Sequence, residues 1–331
     1  MNHAPMNNRS VNRLPQLAGR PFLTDGGIET QLIYLEGLAV PHFAAFALLR
    51  EKRTADVVER VLGDYARVAR DFGVGCVLES VTWRASRDWG AKLGYSGDDL
   101  ALANDQAIDM LRRIRRDVAT ADTPVVISGN VGPRGDGYVP GERMKPDEAE
   151  AYHGEQVAWL DAADVDLITA VTINSVWEAI GIARAVRLTG RPCVIGFTVE
   201  TDGRLPSGET LRQAVEGVDA ATDAYPIYYM INCAHPSHFA DVLLRGEAWT
   251  HRVRGLRCNA SCKSHAELDD SDTLDAGDRE NLAAWYRRIL DRLPQINVLG
   301  GCCGTDPSHI AAIASACYGA AAAPLPSTDL V

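Results

Sequence analysis

Short apolar runs alternate with longer amphipathic stretches along the chain. The apolar runs are Phe22–Gly26, Cys76–Thr82, Pro124–Gly129, Asp166–Thr172, Cys193–Val199, Ile227–Cys233, Val253–Cys258 and Ile296–Gly301. Most are near-continuous rather than alternating, as parallel strands covered on both faces must be. The stretches between them carry helical spacing. In 55–72, Val57, Val58, Val61, Leu62, Tyr65 and Val68 share one face. In 98–118, Leu100, Leu102, Ile108, Leu111 and Ile114 repeat the pattern. Further helices are predicted over 146–163, 175–188, 208–221, 236–244, 278–293 and 307–318, several opened by Pro or a capping Ser or Asp. Eight strands separated by helices require right-handed crossovers. The predicted fold class is therefore α/β, a single closed (β/α)8 TIM barrel. An open doubly wound sheet fits less well, because the first strand-to-helix turn, DGGIET, lacks GxGxxG.

At 331 residues the chain suits one such barrel. Residues 21–319 are assigned to it, with 1–20 a flexible leader and 320–331 a tail. The N-terminal MNHAPMNNRSVNRLPQLAG has no apolar segment of the kind a secretory signal needs. No apolar run approaches the roughly 18 residues of a membrane span. With 33 Lys+Arg against 44 Asp+Glu, the formal charge of −11 argues against nucleic acid or an anionic membrane as partner. The expected location is the reducing cytoplasm. Clustered cysteines there more often bind metal or do chemistry than form disulfides.

In a barrel, chemistry sits at the C-terminal ends of the strands. Three of the eight cysteines fall there: Cys233 in MINCAHP after strand six, and Cys302 and Cys303 in LGGCCGT after strand eight. Strands six and eight are one strand apart, so these thiols can reach one ion. Zinc takes thiolates at about 2.3 Å, and three ligands leave a position open for substrate. Cys258 and Cys262, just past strand seven, are weaker competitors. Cys76, Cys193 and Cys317 read as packing. A thiolate-rich zinc site is a weak water activator and favours a soft fourth ligand, a substrate thiol. Binding draws a thiol with pKa near 8.5 toward the nucleophilic thiolate. Alkyl transfer to sulfur is the expected reaction.

TDGGIETQL, SGNVGPRGDGY, INCAHP and GGCCGTDPSHI together resemble the signatures of the homocysteine S-methyltransferase family, over nearly the whole chain. The last is the most specific. The resemblance implies a zinc-dependent barrel with Cys233, Cys302 and Cys303 as ligands. It implies that Asp25 contacts the homocysteine amino group. The donor it implies is a small onium compound: S-methylmethionine, S-adenosylmethionine or betaine. The chain departs from the family at strand four. There LITAVTINSVWEA places Val171 where the family carries a Glu that helps hold the substrate ammonium. Glu79 and Glu200, at neighbouring strand ends, are the candidates to replace it. The alternatives are an acceptor thiol other than homocysteine and a non-catalytic zinc- or thiol-binding barrel.

Trp83 and Tyr138 are candidate aromatic neighbours for a cationic donor. Asn232 is expected to orient the site. His235 and His309 read as helix-start residues. A Schiff-base lysine is disfavoured, because of the four lysines only Lys263 lies near a strand end.

Overall fold

The computed structural model describes residues 14–139, 141 and 144–319. Its eight strands are β1 (Phe22–Leu23), β2 (Gly75–Glu79), β3 (Val125–Val131), β4 (Leu167–Ile173), β5 (Cys193–Phe197), β6 (Tyr228–Asn232), β7 (Val253–Cys258) and β8 (Val298–Gly301). They pair in chain order, all parallel, and close into a barrel through β1 and β8, with Phe22 opposite Val298 and Leu23 opposite Leu299. The (β/α)8 barrel predicted from the apolar runs is the fold observed.

Every residue of β2, β4, β5, β6 and β8 is buried, which is why those runs show no alternation. Successive side chains still point to opposite faces. Cys76, Leu78, Ile168, Ile195 and Leu256 face the surrounding helices in the main core. Phe22, Val77, Val126, Leu167, Val194, Tyr228 and Val298 fill the barrel interior. Two residues further up β2, β3 and β4 the interior turns polar, with Glu79, Ser128 and Thr169. Glu79 pairs in register with Ser128, and the Ser128 and Thr169 hydroxyls lie 2.7 Å apart. The apolar floor and polar upper layer set the depth at which chemistry can occur.

The leader expected over 1–20 is corrected at its C-terminal end. A short turn, Pro15–Ala18, packs under the barrel, where Leu14 joins the interior cluster and Gln16 is fully buried. Its apolar content is too sparse to have marked it as core. Residues 1–13 and the tail 320–331 lie outside the described residues. Among the helices, the one expected over 236–244 breaks into two turns, Pro236–His238 and Ala240–Leu243. Short helices Ile28–Tyr34 and His265–Asp269 escaped the periodicity because neither spans two full turns. No helix among the described residues is long and apolar enough to cross a membrane.

Candidate metal and substrate site

The C-terminal mouth of the barrel holds a cavity of about 400 Å³. Asp25, Glu29, Trp83, Tyr138, Val171, Cys233, Arg257, Cys302 and Cys303 are among the residues that line it.

The three sulfurs expected to converge do so, lying within 4.8 Å of one another. Cys233 and Cys302 are joined as a disulfide in this structure, and Cys303 Sγ stands 3.9 Å from Cys233 Sγ. Three sulfurs placed tetrahedrally on zinc bonds of about 2.3 Å would be about 3.8 Å apart. Donor type and spacing therefore fit the ion once the disulfide is reduced. Burial pushes the Cys303 thiol up to about 11, so ionising it at neutral pH calls for a cation beside it. Cys258 is buried against the helices and Cys262 is exposed; neither joins the cluster.

Cys233 has a left-handed backbone with φ 53°. For a side chain with a Cβ that costs roughly 1–2 kcal/mol. Three donors hold its carbonyl: Thr198 Oγ1 at 3.3 Å, Asn259 Nδ2 at 3.2 Å and His265 Nε2 at 2.6 Å. The preceding Asn232 reaches across to β4. Its Oδ1 accepts from the Thr172 backbone N–H at 2.9 Å and its Nδ2 donates to Thr172 Oγ1 at 2.9 Å. Thr172 is also left-handed, at a register shift between β4 and β5. Asn232 thus fixes the wall of the cavity and the approach of Cys233 together.

The glycine-rich motifs at the two chain ends lock onto each other. Thr30 Oγ1 donates to the Gly27 carbonyl at 2.9 Å and accepts from the Gly304 N–H at 3.2 Å. A Cβ on Gly27 would stand 2.6 Å from the Cys302 carbonyl oxygen, closer than side chains tolerate. DGG-x-x-T therefore builds the bed on which the paired cysteines lie.

The carboxylates sort differently from expectation. Asp25 lines the cavity, but Arg257 holds it in an ion pair whose side chains are 4% and 7% exposed. Glu79 lies below, 2% exposed, with Oε1 4.0 Å from Arg257 Nη1, and does not line the cavity. Glu200 does not line it either: its Oε1 is 3.2 Å from His265 Nδ1. Both were expected at the substrate. Glu79 sits one layer too deep, and Glu200 braces the histidine that holds the Cys233 carbonyl. Burial raises Asp25 above its ordinary value, with Arg257 pulling it back, and lifts Glu29 and Glu79 to about 7.

Sequence reading missed Arg257. The available signal was parity: on β7, Gly255 and Arg257 share the inward face, and an arginine on a buried strand needs counter-charges inside. It also missed His265, whose ring stacks on Tyr138 with centroids 3.9 Å apart. Tyr138 Oη lies 3.3 Å from Cys233 Sγ and 3.6 Å from Cys303 Sγ. Trp83 Nε1 donates to the Val171 carbonyl at 3.2 Å, and the Arg84 guanidinium lies 4.6 Å from the Trp83 ring centre. His235 Nδ1 accepts from the Ser237 N–H at 3.2 Å, the helix-start role expected of it.

Fold and site together define a (β/α)8 barrel with three cysteines converging at its C-terminal mouth. The chain belongs to the homocysteine S-methyltransferase family, whose sequence profile matches residues 22–317. It is 23% identical to homocysteine S-methyltransferase 1 of Arabidopsis thaliana over 311 residues, covering 88% of this chain and 91% of that one. Its identity to homocysteine S-methyltransferase 1 of Brassica oleracea var. italica is also 23%, covering 91% and 94%. The metallated form of the homocysteine methyltransferase MmuM from Escherichia coli shares the fold, with TM-score 0.73, 19% identity, and coverage of 91% of this chain and 99% of that one. MmuM in its oxidised form gives TM-score 0.73 at 19% identity, covering 92% of this chain and 99% of that one.

Proposed function

We propose that the protein is a zinc-dependent S-methyltransferase that moves a methyl group from an onium donor to a thiol, with homocysteine the acceptor and methionine the product. The observation that carries this reading is the convergence of three sulfurs, within 4.8 Å of one another, on the wall of one cavity. Cys233, Cys302 and Cys303 are the residues to hold zinc, which when bound supplies a soft Lewis acid that favours the thiolate form of an acceptor. The membership of the family supports the reaction class.

The protein's own residues do the positioning. The Thr198, Asn259 and His265 bonds fix Cys233, and the Gly27 bed fixes Cys302. Tyr138 lies over the sulfurs and, with Trp83, offers an aromatic surface to a positively charged donor. Asp136, 3.6 Å from Arg84, and Asp269 on the cavity lining add negative potential for the same cation. The acceptor sulfur attacks the methyl carbon in line. The methyl–heteroatom bond breaks with its electron pair staying on the donor, which leaves neutral if it was a sulfonium. Alignment of the three atoms is what the rigid mouth provides. S-Methylmethionine is the first donor to test, ahead of S-adenosylmethionine and betaine. The reducing cytoplasm would keep the cysteines free.

The test uses zinc-loaded, reduced protein with homocysteine and each donor carrying a deuterated S- or N-methyl group. Labelled methionine formed with at least one donor is the expected result. No label in any thiol product, with zinc bound throughout, rejects the reading.

A further inference from the structure

Arg257 and Arg84 are buried cations on the lining of this cavity; Arg257 is the one set among the strand ends, and part of its hydrogen-bonding capacity is unused. It pairs in register with Asn232 on β6 and Gly300 on β8, between the two strands that deliver the cysteines. Its Nη2 holds Asp25, and its Nε donates to the Gly301 carbonyl at 3.3 Å. Among the described residues its buried Nη1 has no hydrogen-bond partner, Glu79 Oε1 standing 4.0 Å away, and Glu79 Oε2 beneath it has none either. A buried donor on a charged group left unmade is costly. Arg257 lines the cavity and Glu79 does not, so a ligand entering from the mouth meets the guanidinium. The same ligand finds Asp25 already neutralised, and at the end of β4 it finds the apolar Val171.

We propose that Arg257 sets acceptor specificity by binding a carboxylate of the acceptor thiol through its free Nη1, so that the site selects thiol carboxylic acids and the amino group is dispensable. The inference rests on the cavity being the acceptor site of the proposed methyltransferase. A carboxylate is the chemical match for a desolvated guanidinium, forming a charge-assisted bond. The counter-charge count agrees. Burial lifts Glu79 to about 7, which weakens it as a counter-charge to Arg257 and leaves the guanidinium able to take a further carboxylate beside Asp25. An ammonium in the same place would lie against the guanidinium. On this reading homocysteine is anchored by its acid end, and Arg257 is a positioning residue for the sulfur rather than a catalytic one.

The test compares three thiols of one length on the zinc-loaded protein: homocysteine, 4-mercaptobutyrate, which lacks the amine, and 3-mercaptopropylamine, which lacks the carboxylate. A hydrogen bond to a charged group is worth about 10- to 100-fold, so 4-mercaptobutyrate should keep kcat/KM within about tenfold of homocysteine while 3-mercaptopropylamine falls by about 100-fold. In Arg257→Met, checked for its thermal midpoint and zinc content, the preference for 4-mercaptobutyrate over 3-mercaptopropylamine should collapse, with the change in KM rather than kcat. Retained turnover of the amine with loss of the acid overturns the inference while leaving the methyltransferase intact. If no thiol is methylated, the methyltransferase reading fails. A second readout then decides Arg257 alone: butyrate should raise the thermal midpoint of the metal-free protein, n-butylamine should not, and Arg257→Met should abolish the shift. No response to butyrate, or a response to the amine only, rejects the proposal in that case. Should the variant not fold, the thiol panel and the butyrate comparison on the unaltered protein decide it.

Discussion

Asp25, following β1, and Arg257, near the end of β7, form an ion pair across the barrel mouth with side chains 4% and 7% exposed. Two consequences follow from its depth. Buried charges are tolerated only in compensated sets, so neither partner is free to change alone. Glu79, 4.0 Å from the same guanidinium, is a second carboxylate sharing one cation.

That sharing makes a pH prediction. Glu79 is lifted from an ordinary 4.5 to about 7, burial being the largest cause and Arg257 opposing it. Between those values the folded chain keeps a proton that the unfolded chain has lost, so this group makes stability fall as pH rises from 4.5 to 7. Glu79→Gln removes the titration. Urea midpoints at pH 5 and pH 8 should therefore differ less in the variant than in the unaltered protein. A larger difference in the variant would contradict the assignment.

Gly27→Ala places a methyl against the Cys302 backbone carbonyl, which cannot swing away as a side chain can. Overpacking of this kind costs about 1–3 kcal/mol. Because the displaced group is the cysteine bed, zinc retention and methyl transfer should fall more than stability does. Full zinc content in a normally active Gly27→Ala protein would show that the contact between the two motifs is incidental.

The barrel was legible because its strands are buried on both faces, which leaves runs such as Leu167–Ile173 with no polar position facing solvent. The three cysteines were legible because strand ends converge at one mouth. Depth within the mouth was not. Glu79 ends a strand as Asp25 nearly does, yet it sits a layer lower, and only register settles that. Glu200 lies beyond its strand in a loop whose path no periodicity records. Arg257 was hidden by its company, in a strand with arginines at 254 and 257, of which the inward one becomes evident only once the face of Gly255 is fixed. The interlock of Thr30 with Gly304 joins residues 274 apart in sequence, beyond any local pattern.

The helix Pro307–Tyr318 begins just past the cysteine pair, and its start anchors that loop. The Asp306 side chain accepts from the Ser308 and His309 N–H groups at 2.8 and 3.2 Å and lies 2.8 Å from His309 Nδ1. Its hydrogen bond from the His309 ring holds Asp306 well below the usual carboxylate range. Burial pulls the His309 imidazole down, but the Asp306 bond and the Ala276 carbonyl outweigh it, and the net shift is upward. Asp306 adds stability above 3.8 that is lost as pH falls through its folded value. His309 adds stability that is full below 6.5 and is lost as pH rises through its raised value. Asp306→Ala should therefore cost about 1–2 kcal/mol near pH 6, as N-cap losses do, and less at either extreme. A cost that does not change with pH in a denaturation series would leave capping intact but remove the ion pair.

The most direct test of the central claim is the zinc content of reduced, chelator-free protein beside a Cys302→Ser/Cys303→Ser variant of equal fold by circular dichroism. About one zinc per chain is expected in the unaltered protein, as a single three-thiolate site requires, with both the metal and thiol methylation lost in the variant. Absence of zinc from the reduced protein, or undiminished zinc in the variant, would contradict it.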